Sequence, residues 1–222
     1  KTFSSIEIRQ ILSTSISMAA CVTVAAVVLG FFGALAFARY DWRGRRLYQK
    51  LILLPIFFPQ SVLGLALLLW FNALGLELSW KSAIFAHLVW IVPVVTLVIS
   101  IQVYSFDPAL EEAAADLGAS PWTAFRKITL PQVFPVLLGA AALAFIVSLD
   151  EFIVTFFLSG NETTLPLFIF SRLRTTLNPS INVVSTLLMA ITLALFVFAF
   201  VMGIRAERRR ARRAAALLDQ VG

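Results

Sequence analysis

Five apolar runs, each long enough to cross a bilayer, leave this chain few ways to fold. A spanning helix needs about 20 mostly apolar residues. Residues 15–38, 51–74, 82–104, 133–158 and 183–204 all meet that length. Of the 222 residues, 60% are hydrophobic and 14% charged, where soluble domains average about 45–50% apolar and about 25% charged. The expected fold is an all-α, polytopic integral membrane helix bundle with five transmembrane helices.

The basic residues orient that bundle. Arg39, Arg43, Arg45, Arg46 and Lys50 crowd the first connection, and Arg126 and Lys127 lie in the third. Arg205, Arg208, Arg209, Arg210, Arg212 and Arg213 follow the last run as a stop-transfer flank. Lys1, Arg9, Lys81, Arg172 and Arg174 fall on the opposite side. The positive-inside rule then places 39–50, the insert 105–131 and the tail 205–222 in the cytoplasm, with residues 1–14 as an external start. The net charge of +6 thus reads as a membrane flank with an attraction to anionic lipid, not as a nucleic-acid arm. Five spans with an external start imply a sixth, N-terminal span that precedes Lys1.

Packing signals lie within the runs. Ala26, Gly30, Ala34 and Ala38 recur four apart on one face of the first, and Ala140, Ala144 and Ser148 continue the theme in the fourth. Such ladders let helices approach closely. Pro55 and Pro59, next to Gln60 and Ser61, interrupt the second run, and Pro93 the third. Proline frees carbonyls that lipid cannot satisfy, so these breaks are expected to face protein or a water-filled path. The single cysteine, Cys21, excludes disulfide and thiolate-metal frameworks and reads as a small buried hydrophobe. The single histidine, His87, is expected to be packed or hydrogen-bonded.

Between the third and fourth runs sits a polar insert. Asp107-Pro108 signals a helix start, and Glu111 and Glu112 suit the positive end of its dipole. Leu110, Ala113, Ala114 and Leu117 form a narrow apolar stripe, Gly118 supplies a left-handed exit, and Ser120-Pro121 starts a second helix bearing Trp122 and Phe125. Leu130-Pro131 is expected to end that helix at the membrane. Two capped helices about a glycine corner make a rigid hook for a partner.

The pattern Glu112-Ala113-Ala114, three residues, Gly118, nine residues, Ile128-x-Leu130-Pro131 resembles the cytoplasmic loop of bacterial ATP-binding-cassette importer permeases. The resemblance implies a coupling helix seated in an ATPase subunit, with Glu112 as acidic contact, Gly118 as turn, and Ala113, Ala114, Trp122 and Pro131 in the same surface. It also implies two ATPase subunits, a homologous second permease subunit and a periplasmic substrate-binding protein. No G-x-x-x-x-G-K-[ST] stretch occurs in the sequence, so the chain has no phosphate cradle of its own. No cofactor is expected in this chain, ATP and its magnesium being held by the partner, and no metal or catalytic residue is expected. The implied location is the bacterial inner membrane.

Asp150 and Glu151 interrupt the fourth apolar run. A carboxylate at membrane depth costs about 2.5–3.5 kcal/mol on insertion scales, so it faces a pathway or partner, unless the membrane boundary lies short of it. Adjacent residues point about 100° apart on a helix, so the two carboxylates are expected to serve different roles. With 159–167 and 178–182, the segment is similar to the second permease subunit of spermidine/putrescine importers, over roughly 15–209. That resemblance implies a cationic polyamine cargo passing Ser148, Asp150 and Glu151. Trp70, Trp90 and Phe152 are candidate cation–π partners in the path, with packing as their alternative. Importers of iron, thiamine, opines or amino-acid derivatives share much of the pattern, and a passive channel is the rival of another class.

Overall fold

The computed structural model describes residues 6–175, 185, 186, 188–194, 196–198, 201, 203 and 205. Helix α1 (Ile6–Ala34) passes into a π-helical turn, Leu35–Arg39. Helix α2 (Arg45–Leu53) ends in a 3-10 turn, Leu54–Phe57, and α3 (Gln60–Ala73) follows. Next come α4 (Trp80–Tyr104) and the two short insert helices, α5 (Ala109–Asp116) and α6 (Pro121–Ala124). A second π turn, Phe125–Thr129, leads into α7 (Leu130–Asp150), then α8 (Ile153–Leu158) and α9 (Leu165–Thr175). Among the described residues there is no strand.

The core is where α1, α4 and α7 pack together. Ala26, Gly30 and Ala34 are buried, and a Cβ on Gly30 would run into the Val95 side chain of α4. Ala140, Ala144 and Ser148 are buried along α7. Both small-residue ladders thus sit where backbones approach closely. The opposite face of α1 exposes Val24, Val28, Leu29 and Phe32. Cys21 is exposed on the same helix and was expected to be buried. In a membrane protein an apolar face is solvated by lipid, so hydrophobicity alone does not place a residue inside.

Among the described residues, three helical stretches are long and apolar enough to cross a membrane: Ile8–Arg39, Trp80–Tyr104 and Pro121–Asp150. Arg45–Phe57 with Gln60–Ala73, bent by 105°, makes a fourth if the pair is one span. Four expectations change in detail. Residues 6–14, read as an external start, are the first turns of α1, because Ile11 and Ser15 bury against Leu165 of α9. Pro93 does not break the third span: α4 runs through it for 25 residues with the ring buried. The run 133–158 breaks at Glu151, whose backbone is extended (φ −69°, ψ 114°) and whose carboxylate accepts the Val154 N–H of α8. A side chain that captures a backbone donor in this way ends one helix and caps the next. Leu130-Pro131 does not end the second insert helix either. The Leu130 N–H reaches the Phe125 carbonyl across the π turn, and the wider turn carries the chain through Pro131 into α7.

The second run bends as its prolines require. Phe58 is extended (φ −85°, ψ 137°), the conformation favoured before proline, and Pro59 turns the chain into α3. The fifth run, 183–204, lies largely outside the described residues; its described members between Leu188 and Phe198 are helical. Of the basic tail 205–222, only Arg205 is described.

Candidate functional site

The α7–α8 break gathers a buried polar cluster from three helices. Ser148 is 1% exposed, His87 2%, Thr155 0% and Glu151 7%. The His87 ring lies 2.9 Å from Ser148 Oγ through Nδ1 and 2.7 Å from Thr155 Oγ1 through Nε2. Thr155 Oγ1 donates in turn to the Glu151 carbonyl at 3.0 Å. With that hydroxyl proton committed, the ring donates from Nε2 to Thr155, and in a neutral imidazole Nδ1 is then the acceptor for the Ser148 hydroxyl. His87 of α4 therefore straddles the break, holding one residue before it and one after. Sequence reading set His87 apart as a bonded side chain without its partners, because their apposition is tertiary.

Glu151 faces inward. One oxygen caps Val154 at 3.1 Å and the other accepts Gln60 Nε2, also at 3.1 Å. Gln60 opens α3 just after the proline bend, so the two interrupted spans are tied to each other by one hydrogen bond. Asp150 faces elsewhere. It is exposed and accepts Thr192 Oγ1 at 3.3 Å, in a largely apolar groove of about 540 Å³ lined by Ile146, Ile169, Met189 and Phe196, with Ser185 and Thr192 as its other polar side chains. The aromatic candidates separate. Phe152 packs on Phe170 at 4.7 Å beside the break, Trp70 groups with Phe71 and Phe85, and Trp90 packs against the core. The residues that sequence reading gathers into one path thus differ in their immediate contacts.

At the basic end of the bundle the insert forms the hook. The Asp107 carboxylate accepts the Ala109 N–H at 3.0 Å, the Ser120 hydroxyl accepts the Thr123 N–H at 3.3 Å, and Gly118 has φ +78°. Its outer surface carries Glu112, Ala113, Leu117, Trp122 and Pro131, all exposed, with Ala114 half-buried. Leu117 is 89% exposed and Trp122, stacked on Phe125, 68%. Glu111, which sequence reading treated only as a dipole partner, is the acidic residue bonded inward, to Arg39 and Thr129. Helical phase shows that Glu111 and Glu112 cannot face the same way, but not which of the two turns inward. Among the described residues no group of three or more His, Cys, Asp or Glu is placed to hold a metal ion.

Spanning helices interrupted around a buried polar cluster, with a capped hook at the basic end, define a multi-pass membrane transport protein. Residues 26–213 match the family described as binding-protein-dependent transport system inner membrane component, and the chain belongs to it. It is similar to the putrescine transport system permease protein PotI of Escherichia coli strain K12, at 37% identity over 207 residues, covering 89% of this chain and 73% of that protein. It is 35% identical over 184 residues to the spermidine/putrescine transport system permease protein PotC of Haemophilus influenzae, covering 82% and 72%. The molybdenum transport system permease protein ModB of Haemophilus influenzae is 33% identical over 182 residues, covering 74% and 79%. Two solved transporters share the fold. The MetNI methionine ABC transporter in an inward-facing form matches with TM-score 0.69 at 17% identity, over 90% of this chain and 98% of that one. A bacterial ABC transporter for the acidic polysaccharide alginate matches with TM-score 0.72 at 16% identity, over 91% and 81%. The chain is thus a transport permease and not an enzyme.

Proposed function

We propose that this chain is the membrane permease subunit of an ATP-driven bacterial importer that takes a polyamine, putrescine or spermidine, from a periplasmic binding protein to the cytoplasm. The observation that carries the cargo is Asp150: an exposed carboxylate in a largely apolar groove at the end of a spanning helix. A cation leaving water needs such a group to replace lost hydration, and the same site repels an anion. The names of the putrescine and spermidine relatives support this reading.

The hook is the docking surface for an ATPase subunit, which binds and hydrolyses ATP with magnesium. Glu112, Leu117 and Trp122 face that partner, and Gly118 turns the chain between the two hook helices. The permease pairs with a homologous second permease, two ATPase copies complete the machine, and the inner membrane houses it with its basic end inside. ATPase closure drives alternating access around the broken spans.

The test is uptake of labelled putrescine and spermidine by cells whose importer carries this chain, as wild type, Asp150→Asn and Glu112→Ala, at matched membrane levels. Uptake that falls in both variants fits cargo path and hook alike. Wild-type cells that accumulate neither polyamine end the cargo assignment.

A further inference from the structure

The two π turns end on the same carboxylate. Leu35–Arg39 closes at Arg39 and Phe125–Thr129 closes at Thr129. Arg39 Nη2 donates to one oxygen of Glu111 and Thr129 Oγ1 to the other. The Arg39 guanidinium also lies over the Phe106 ring, 5.0 Å from its centroid, and Phe106 is 6% exposed. Thr129 is 6% exposed, and Phe125, which opens the second π turn, packs on Phe31 of α1 at 6.1 Å. A small cavity of about 30 Å³ beside this joint is lined by Leu35, Val103, Phe125 and Val133 as well as by Arg39, Glu111 and Thr129. By contrast, α5 buries none of its residues, and among them Glu111 alone makes a side-chain hydrogen bond.

We infer that Glu111 is a positioning residue, a latch that clamps the hook to the inner ends of α1 and α7 and turns a push on the hook into movement of both spans. A π turn moves the side chains after it out of register with a regular helix and recurs where geometry is functional. Here each one ends at the side chain that grips Glu111. The carboxylate has both oxygens occupied by donors from different helices, so α5 cannot move relative to either without breaking a charge-assisted hydrogen bond. Glu112, one residue on, is exposed and left for the partner. The inference rests on the reading of the hook as an ATPase dock.

The experiment uses the whole importer in proteoliposomes, as wild type, Glu111→Ala, Glu111→Gln, and the swap Arg39→Glu with Glu111→Arg. Three quantities are read: ATPase subunit retained, ATP hydrolysed, and putrescine moved per ATP. The expected result is that Glu111→Ala keeps its ATPase subunit and hydrolyses ATP, while transport per ATP falls roughly 5-fold or more, the low end of coupling between sites. Glu111→Gln, which retains an acceptor for Thr129, falls less, and the swap recovers most of the loss. A cargo-independent measurement places spin labels on the hook and on the 40–44 connection in a Cys21→Ser background. Their distance distribution stays narrow through the ATP cycle in wild type and broadens in Glu111→Ala. Unchanged transport per ATP, or an unchanged distribution, overturns the latch, as does loss of the ATPase subunit, which would make Glu111 a support of the dock. A wild-type complex that takes up no ATPase subunit overturns the docking reading itself, and the latch with it. One that hydrolyses ATP and moves no putrescine removes only the cargo, and the spin-label distances then decide the latch.

Discussion

Gln60 and Glu151 meet across two interrupted helices, Gln60 Nε2 donating to Glu151 Oε2 at 3.1 Å. Their contact fixes the proline bend before α3 against the carboxylate that ends α7. Glu151→Ala removes this bond and the Val154 cap together, stranding the buried Val154 N–H and freeing the half-buried Gln60 amide. Stranding a buried donor costs about 1–3 kcal/mol. The expected outcome is a clear fall in thermal unfolding temperature in detergent, with Glu151→Gln milder because its carbonyl oxygen still accepts. An unshifted transition in Glu151→Ala would show that the two breaks are held by something else.

His87 gives a second handle on the same joint. Replacing it with Phe keeps a ring in the core but takes the ring partner from the Ser148 hydroxyl, at about 1–3 kcal/mol for a buried group left unpaired, while Thr155 keeps its bond to the Glu151 carbonyl. Hydrogen exchange at 148–155 should accelerate in His87→Phe more than exchange in the middle of α1. Equal acceleration in both places would mean general destabilisation and no staple at the break.

Close approach makes some glycines irreplaceable. A Cβ on Gly64 would sit 2.7 Å from Phe157 Cδ2, at the crossing of α3 and α8, whereas a Cβ on Gly139 meets nothing within 4 Å. Overpacking of this kind costs about 1–3 kcal/mol. Gly64→Ala should lower the yield of folded protein and its melting temperature, and Gly139→Ala should leave both unchanged. The idea of a fixed α3–α8 crossing fails if both variants melt alike.

Leu117 projects from the hook, 89% exposed, just before the Gly118 turn. Leu117→Asp should leave the fold intact and weaken ATPase binding by about 2 kcal/mol or more, as the loss of a central apolar anchor does. Co-purification of the ATPase subunit with the permease reads this directly. Full retention would place the docking contact elsewhere on the hook.

Much of this architecture is legible in the order of residues. The hook's starts at Asp107 and Ser120 and its turn at Gly118 rest on local chemistry, where a side chain bonds a backbone group two or three residues away. The ladder Ala26, Gly30, Ala34 is legible because helical period alone puts it on one face. What escapes is settled between helices. The break after Asp150 depends on Glu151 finding both Val154 and Gln60, and Gln60 is distant in sequence. Continuity through Pro93 is tertiary too, since the ring is buried among its neighbours. The π turns carry no signal of composition; they place Arg39 and Thr129 around Glu111, a relation that a linear reading of the acidic pair cannot order. In a lipid-facing helix hydropathy also loses its power to tell inside from outside, as Cys21 demonstrates.

The uninterrupted stretch Pro121–Asp150 has a mechanical consequence. Its 30 residues amount to a helical path of roughly 45 Å at about 1.5 Å per residue. Trp122 stands near one tip and Asp150 is the other. Pivoting a path of that length by about a tenth of a radian at the hook sweeps the far tip through roughly 4.5 Å. On the proposed reading, the ATPase dock and the cargo groove lie at the two ends of one continuous helical stretch.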